Sequence, residues 1–177
     1  MTSPPDPEAL RALRGRTVRG VFFRVLPAAF AKEPLSVQGS LRHGGRYNPM
    51  GAFGALYCGE SRAVCAAEIR KRAAGQPVSP YRLVRIRVAL HRVLDLTDPA
   101  TLAALDLRPE DLVGDDWQRT QRLGAQARAA GFEGLLVPSA AGAGHNLVIF
   151  LERLDPRSRV RPGGIPAPLP GAHGPIA

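Results

Sequence analysis

Apolar positions along this chain recur with two different periods, and each predicts a different kind of element. TVRGVFFRVL (17–26) is a run of β-branched, aromatic and aliphatic residues, which predicts a strand. YRLVRIRVAL (81–90) alternates: Val84, Ile86, Val88 and Leu90 share one face while Arg85 and Arg87 take the other, the pattern of a strand buried on one side. ALYCGE (55–60) reads as a short buried strand. GLLVP (134–138) and NLVIFLE (146–152) read as two more, joined by the glycine-rich turn AAGAGH. Helical segments lie between them. Ser61 is placed to cap a helix running to about Ala74, with Gly75 in position to end it. Asp98 and Pro99 open a second. Asp115 or Asp116 opens a third that reaches about Ala130 and stops at Gly131. Strands and helices interspersed in this irregular order predict an α+β fold rather than a regularly wound parallel sheet.

Toward both ends the pattern fades. Residues 1–16 form a polar, proline-containing lead-in with room for a short helix. From Asp155 onward Pro and Gly dominate and little is left to bury, which predicts a disordered tail or a packed-down extension. The folded unit is therefore placed at 17–154, with 155–177 as the tail.

Composition narrows the class. The chain has 177 residues, 45% of them hydrophobic and 22% charged, which suits one globular domain and excludes disorder throughout. The N-terminus has no secretory pattern and no apolar run nears the ~18 residues of a membrane span, so a cytoplasmic protein is expected. Cys58 and Cys65 show neither CxxC nor zinc spacing and are expected to be reduced core residues. The formal net charge is +9, and nearly all the positive charge is arginine, with Lys32 and Lys71 the lysines. Arginine's planar fork suits phosphate and carboxylate. Richness in Arg, Ala, Gly and Pro also follows from a GC-rich genome, so the charge hints at an anionic partner and no more.

Common motifs are missing. GAGHNL (142–147) begins like a dinucleotide fingerprint but lacks the third glycine and leads into a strand. His43, His91, His145 and His173 are scattered, so no metal site is expected. RVLP and RSRVRP are too short and lack interleaved aromatics, so no direct nucleic-acid contact is expected.

A few residues fit poorly as mere scaffold. On the helix from Ser61, positions 61, 64, 65, 68 and 72 share a face. Val64 and Cys65 make that face apolar, so Glu68 points inward or into a cleft unless it pairs with Arg72 at the rim. LRHGGRYNPMG (41–51) puts Arg46 on a turn after two glycines, beside an aromatic; it is either a plain surface loop or an anion clamp. Tyr57 lies inside a short apolar strand, as core filler or as a cleft residue. Ser139 follows Pro138 at a strand end. Arg24 ends an apolar strand, where a guanidinium needs a carboxylate or a phosphate.

These positions fall within stretches that resemble the RES-domain proteins, the toxin half of bacterial Xre–RES toxin–antitoxin pairs. The stretches are FRV (23–25), GGRYNPMG (44–51), ALYCGESRAVCAAEI (55–69), VLDLTD (93–98) and GFEGLLVPSA…HNLVIF (131–150). The resemblance implies a single domain with an ADP-ribosyltransferase-like mixed sheet, flanking helices and an NAD-binding cleft. It implies an enzyme that destroys NAD⁺ at the nicotinamide–ribose bond, by phosphorolysis to nicotinamide and ADP-ribose-1″-phosphate or by hydrolysis. NAD⁺ is then substrate and inorganic phosphate co-substrate, with no resident cofactor. An Xre-type antitoxin is the implied partner. On the site, the resemblance puts Arg46, Tyr57 and Glu68 in catalysis and Arg24, Asn48, Ser139 and Asn146 around the substrate. Two positions depart from the family pattern: Tyr47 stands where a Trp is usual, and Ala140-Ala141 follow the serine where many relatives carry Arg. Two other readings of the chain stand beside this one, an ADP-ribosyltransferase acting on a macromolecule and a non-catalytic basic module that binds nucleic acid.

Overall fold

The long strand β3 (Tyr81–Asp95) organises the molecule. In the structure, a computed structural model that describes residues 5–74 and 80–169, Val84, Ile86, Val88 and Leu90 of β3 are all buried, and Arg85 and Arg87 are exposed. Along one edge β3 pairs antiparallel with β1 (Arg16–Pro27), from Arg16↔Val93 to Pro27↔Tyr81. Its other edge is shared: β4 (Gly134–Pro138) pairs in parallel with residues 93–95, and β6 (Arg159–Pro168) pairs antiparallel with residues 82–89. From β4 the sheet continues antiparallel through β5 (His145–Ile149) to β2 (Leu56–Gly59). A pairing of Phe23 with Gly59 returns β2 to β1. Five strands thus close on themselves, with β6 outside the ring.

The helices are α1 (Pro7–Ala12), α2 (Gln38–His43), α3 (Arg62–Ala73), α4 (Pro99–Ala104), α5 (Pro109–Val113) and α6 (Gln118–Ala129). Local chemistry explains the expected ones. Ser61 Oγ accepts from the Val64 amide at 3.1 Å, and Asp98 accepts from the Thr101 amide at 2.9 Å with Pro99 at the first helical position. Asp116 accepts from the Gln118 amide at 2.9 Å, and Gly131, at φ +88°, ends α6. One apolar cluster, with Leu94, Leu112, Leu123, Phe132 and Phe150, includes residues of α1, α4, α5 and α6. A second, with Leu56, Ile86, Leu90, Leu147 and Ile149, is contributed chiefly by the strands. A smaller third joins Cys65 and Ile69 of α3 to Leu83. Among the described residues no helix is long and apolar enough to cross a membrane.

The mixed α+β architecture is the expected one; its boundaries differ in places. Strand β3 runs five residues beyond the alternating stretch, to Asp95, and β5 stops at Ile149. Helices α2 and α5 are short and have no apolar period of their own. The largest difference is β6. Part of the stretch read as a tail is a sheet strand, so the folded unit extends past 154. Because β6 pairs on one side only, Pro162 and Pro168 remove no bond from a central ladder, and Val160 still packs on the core. Gly75, expected to end α3, and residues 170–177 of the tail lie outside the described residues. Cys58 and Cys65 are both free and buried. Burial pushes the Cys58 thiol up to about 12 and the Cys65 thiol up to about 11.

Candidate active site

Three elements converge on Glu68. The β4–β5 hairpin puts Ser139 and Asn146 near its turn, where the Ser139 amide donates to the Gly144 carbonyl at 2.9 Å. Helix α3, capped by Ser61, aims Glu68 at that hairpin. Ser139 Oγ donates to Glu68 Oε1 at 2.6 Å, and Asn146 Nδ2 donates to the same oxygen at 2.7 Å. Oε2 has no protein donor among the described residues. The alternative pairing of Glu68 with Arg72 is not formed. A carboxylate fixed through one oxygen and open at the other is suited to accept from, or face, a bound ligand.

The cleft in front of Glu68 has a volume of about 90 Å³ and is lined by Phe23, Val25, Tyr57, Ile69, Arg72 and Asn146, together with Cys58, Gly59 and Cys65. It admits one end of a ligand and leaves the remainder outside, since whole small-molecule sites occupy ~300 Å³ or more. Tyr57 comes from β2. Its hydroxyl accepts from the Tyr47 amide at 3.0 Å and donates to Asn48 Oδ1 at 2.8 Å. Burial pushes this hydroxyl far above the ordinary tyrosine range, and the nearby positive charges of Arg72 and Arg46 only partly oppose it. Tyr57 is therefore a neutral phenol.

The loop 44–51 is locked from within. Asn48 is wholly buried, and its amide nitrogen donates to the carbonyls of Ser40 and Phe53, each at 2.9 Å. With its oxygen taken by Tyr57, Asn48 has no atom left for the substrate contact expected of it. It positions Tyr57 instead. Tyr47, in the place of the usual Trp, is 1% exposed and belongs to the core. Helix α6 presses on this loop, and Gly124 is what lets it: a Cβ there would stand 1.9 Å from the Tyr47 carbonyl oxygen.

The two arginines expected in the site, Arg46 in catalysis and Arg24 at the substrate, are engaged by the backbone. Arg24 Nη1 and Nη2 donate to the carbonyls of Pro34 and Ser36 at 2.6 and 2.7 Å. The acceptor its position demands is main chain, neither carboxylate nor phosphate, and burial lowers the pKa of this guanidinium. Arg46 Nη1 bonds the carbonyls of Leu112 and Gly114, and the guanidinium lies 5.4 Å from the Trp117 ring centroid. Its Nε and Nη2 remain open. The cation that lines the cleft is Arg72, which the sequence marks only as a rim partner for Glu68. Beside it on α3, Lys71 Nζ donates to the Ala140 carbonyl at 2.8 Å. A cation thus does reach the serine loop, from the helix rather than from the position after Ser139.

The RES domain family model matches residues 21–169, a span that includes β6. NAD(+) phosphorylase MbcT of Mycobacterium tuberculosis is 33% identical over 132 residues, covering 71% of each chain, and the Mycobacterium bovis protein of the same name matches equally. A probable NAD(+) phosphorylase of M. tuberculosis is 33% identical over 164 residues, covering 87% of this chain and 77% of its own length. The crystal structure of the M. tuberculosis MbcT–MbcA toxin–antitoxin complex contains a chain that superposes with a TM-score of 0.75 at 28% identity, over 92% of this chain and 91% of that one. With the family model matching most of the chain and these relatives in agreement, the chain belongs to the RES domain family.

Proposed function

We propose that this protein is a toxin that cleaves NAD⁺ at the nicotinamide–ribose bond, with inorganic phosphate as the acceptor. The observation that carries the reading is Glu68, held through Oε1 by Ser139 and Asn146 with Oε2 open to a cleft lined by Tyr57 and Arg72. Breaking the bond sends its electron pair to the pyridinium ring, so nicotinamide leaves neutral and needs no acid. Positive charge develops on the ribose, as in glycoside hydrolysis. Glu68 faces that charge and accepts from ribose hydroxyls. A phosphate oxygen then bonds to the ribose carbon, giving ADP-ribose-1″-phosphate. Arg72, together with the open donors of Arg46, meets the anionic oxygens of phosphate or of the dinucleotide's diphosphate. Tyr57, neutral and held by Asn48, flanks the nicotinamide ring. Arg24 acts at a distance by tying the 34–36 segment to β1.

An enzyme with this activity endangers its own host, so a neutralising partner that covers the cleft follows. We assign that role to an Xre-type antitoxin and place both proteins in the cytoplasm. The M. tuberculosis relative in a toxin–antitoxin complex supports the pairing.

The test is NAD⁺ consumption by the purified chain, freed of any antitoxin, with and without phosphate and with products resolved by chromatography. Phosphate-dependent loss of NAD⁺ with ADP-ribose-1″-phosphate as product is expected. Loss independent of phosphate would make water the acceptor. ADP-ribose found on a macromolecule would favour the transferase reading, and no turnover by folded protein would overturn NAD⁺ cleavage altogether.

A further inference from the structure

A second concave site lies far from the cleft. The cleft residue Phe23 is opposite Arg85 on β3, whereas Arg92 is seven residues farther along, roughly 23 Å at strand rise. Around Arg92 a cavity of about 530 Å³ opens between the end of α1, the turn leading into β1, and the 155–157 turn. Arg11, Arg14, Arg92 and Arg157 line it, with His91 and Asp155. The depression is broad and open to solvent.

The charges do not cancel. Asp155 and Arg157 neutralise each other: Nε donates to Oδ1 at 2.9 Å and Nη2 to Oδ2 at 3.1 Å. Arg11, Arg14 and Arg92 have no carboxylate partner among the described residues. Beneath the cavity Glu133 is 2% exposed, and its carboxylate is occupied by three backbone amides: His91 at 2.6 Å, Arg92 at 2.7 Å and Asp155 at 2.8 Å. That carboxylate is a fastener. It ties β3 to the 155–157 turn and so fixes two walls of the site. Arg92 is fixed further by its guanidinium lying 4.6 Å from the Phe132 ring centroid. His91 Nδ1 is 2.9 Å from Ser158 Oγ. Three unpaired arginines against one spent carboxylate leave a net positive, open depression that the NAD⁺ chemistry does not use.

We propose that this cavity is a second anion site for a small phosphorylated molecule, recognised through a diphosphate group by Arg11, Arg14 and Arg92. Three planar forks around one concavity match two adjacent phosphates better than one. The depression is bounded by α1 and the 155–157 turn, so the basic patch is local, whereas a nucleic acid tracks along extended basic surfaces.

The test is a backbone-amide NMR titration of the full chain with sodium pyrophosphate, alongside inorganic phosphate and ADP. Saturable shifts at Gly15, Arg92 and Arg157 are expected, with inorganic phosphate weaker. The Arg14→Gln/Arg92→Gln double variant is expected to bind pyrophosphate about tenfold or more weakly, and Glu68→Gln to bind it as wild type does at these amides. ADP binding more tightly than pyrophosphate would assign a nucleotide; equal binding would assign the diphosphate alone. Shifts confined to Gly59 and Asn146 would place the anion in the cleft and overturn the proposal. Undiminished binding by the double variant would overturn it, as would shifts produced by duplex DNA and not by pyrophosphate.

Discussion

Ser139→Ala isolates the contact on which the catalytic reading depends. The substitution removes a 2.6 Å hydroxyl donor from Glu68 Oε1 and leaves the 2.7 Å bond from Asn146 in place. A hydrogen bond to a charged group contributes about 1.5–3 kcal/mol. If that orientation is needed in the transition state, kcat falls by ~10- to 100-fold while KM changes little. Glu68→Gln removes the charge itself, and a fall of ~10²- to 10³-fold is expected from the magnitude of one well-placed electrostatic contact. The two effects should not add. With no carboxylate to orient, Ser139→Ala in the Glu68→Gln background should cost no more than about twofold, a coupling of about 1 kcal/mol or more. The assay is initial-rate NAD⁺ consumption at saturating phosphate for the four proteins of the cycle, with thermal melts confirming that each is folded. Equal losses from Ser139→Ala in both backgrounds would show that the serine acts elsewhere, and full activity of the single variant would remove it from the site.

Three further outcomes are expected. Gly124→Ala drives a Cβ into the Tyr47 carbonyl, which lies 1.9 Å from the ideal position, so a loss of about 2–3 kcal/mol in urea unfolding is expected together with a rise in KM as the Tyr57 platform shifts. Burial alone would raise the Glu133 pKa, but Ser158 and the backbone amides of Arg92, Asp155 and His91 outweigh it and hold the carboxyl below its ordinary range. Its contribution is complete above the unfolded value near 4.5 and is lost as pH falls through the lower native value, so Glu133→Gln should be less stable at pH 7 by about 2 kcal/mol and should show a shallower acid limb than wild type. The raised thiols of Cys58 and Cys65 leave roughly one part in a thousand of Cys65 as thiolate at pH 8, so iodoacetamide should label neither cysteine until urea unfolds the chain; rapid native labelling would contradict their burial.

The periodic elements were legible in the sequence because each carries its burial pattern within one stretch. The alternation in 81–90, the Ser61 cap and the glycine after α6 needed no knowledge of neighbours. Strand β6 was not legible. RVRPGGIPAP has neither alternation nor β propensity, and it becomes a strand because β3 offers an open edge where proline costs little. That edge belongs to the assembled sheet, not to the stretch itself. The closure of the sheet through Phe23↔Gly59 is equally a property of the assembled strands.

The site divides in the same way. Glu68 stood out because a charge on an apolar helix face demands a use, and the structure supplies one in Ser139 and Asn146. Arg24 reads as needing a carboxylate or phosphate and Arg46 as a candidate anion clamp, yet both meet main-chain carbonyls instead. What sequence could not supply was the identity of those acceptors, since the carbonyls of Pro34, Ser36 and Leu112 carry no residue-type signal. Asn48 shows the same blindness from the opposite side: an Asn on a glycine-rich loop looks free to bind, yet all its hydrogen-bonding atoms are consumed by Ser40, Phe53 and Tyr57. Arg72 was hidden for a simpler reason. Its spacing from Glu68 gave it an ordinary partner on the helix, and only the stronger claim of the hairpin on Glu68 leaves Arg72 for the cleft. On the proposed reading, anion recognition rests on which arginines the main chain leaves unoccupied, and arginine count alone does not reveal it.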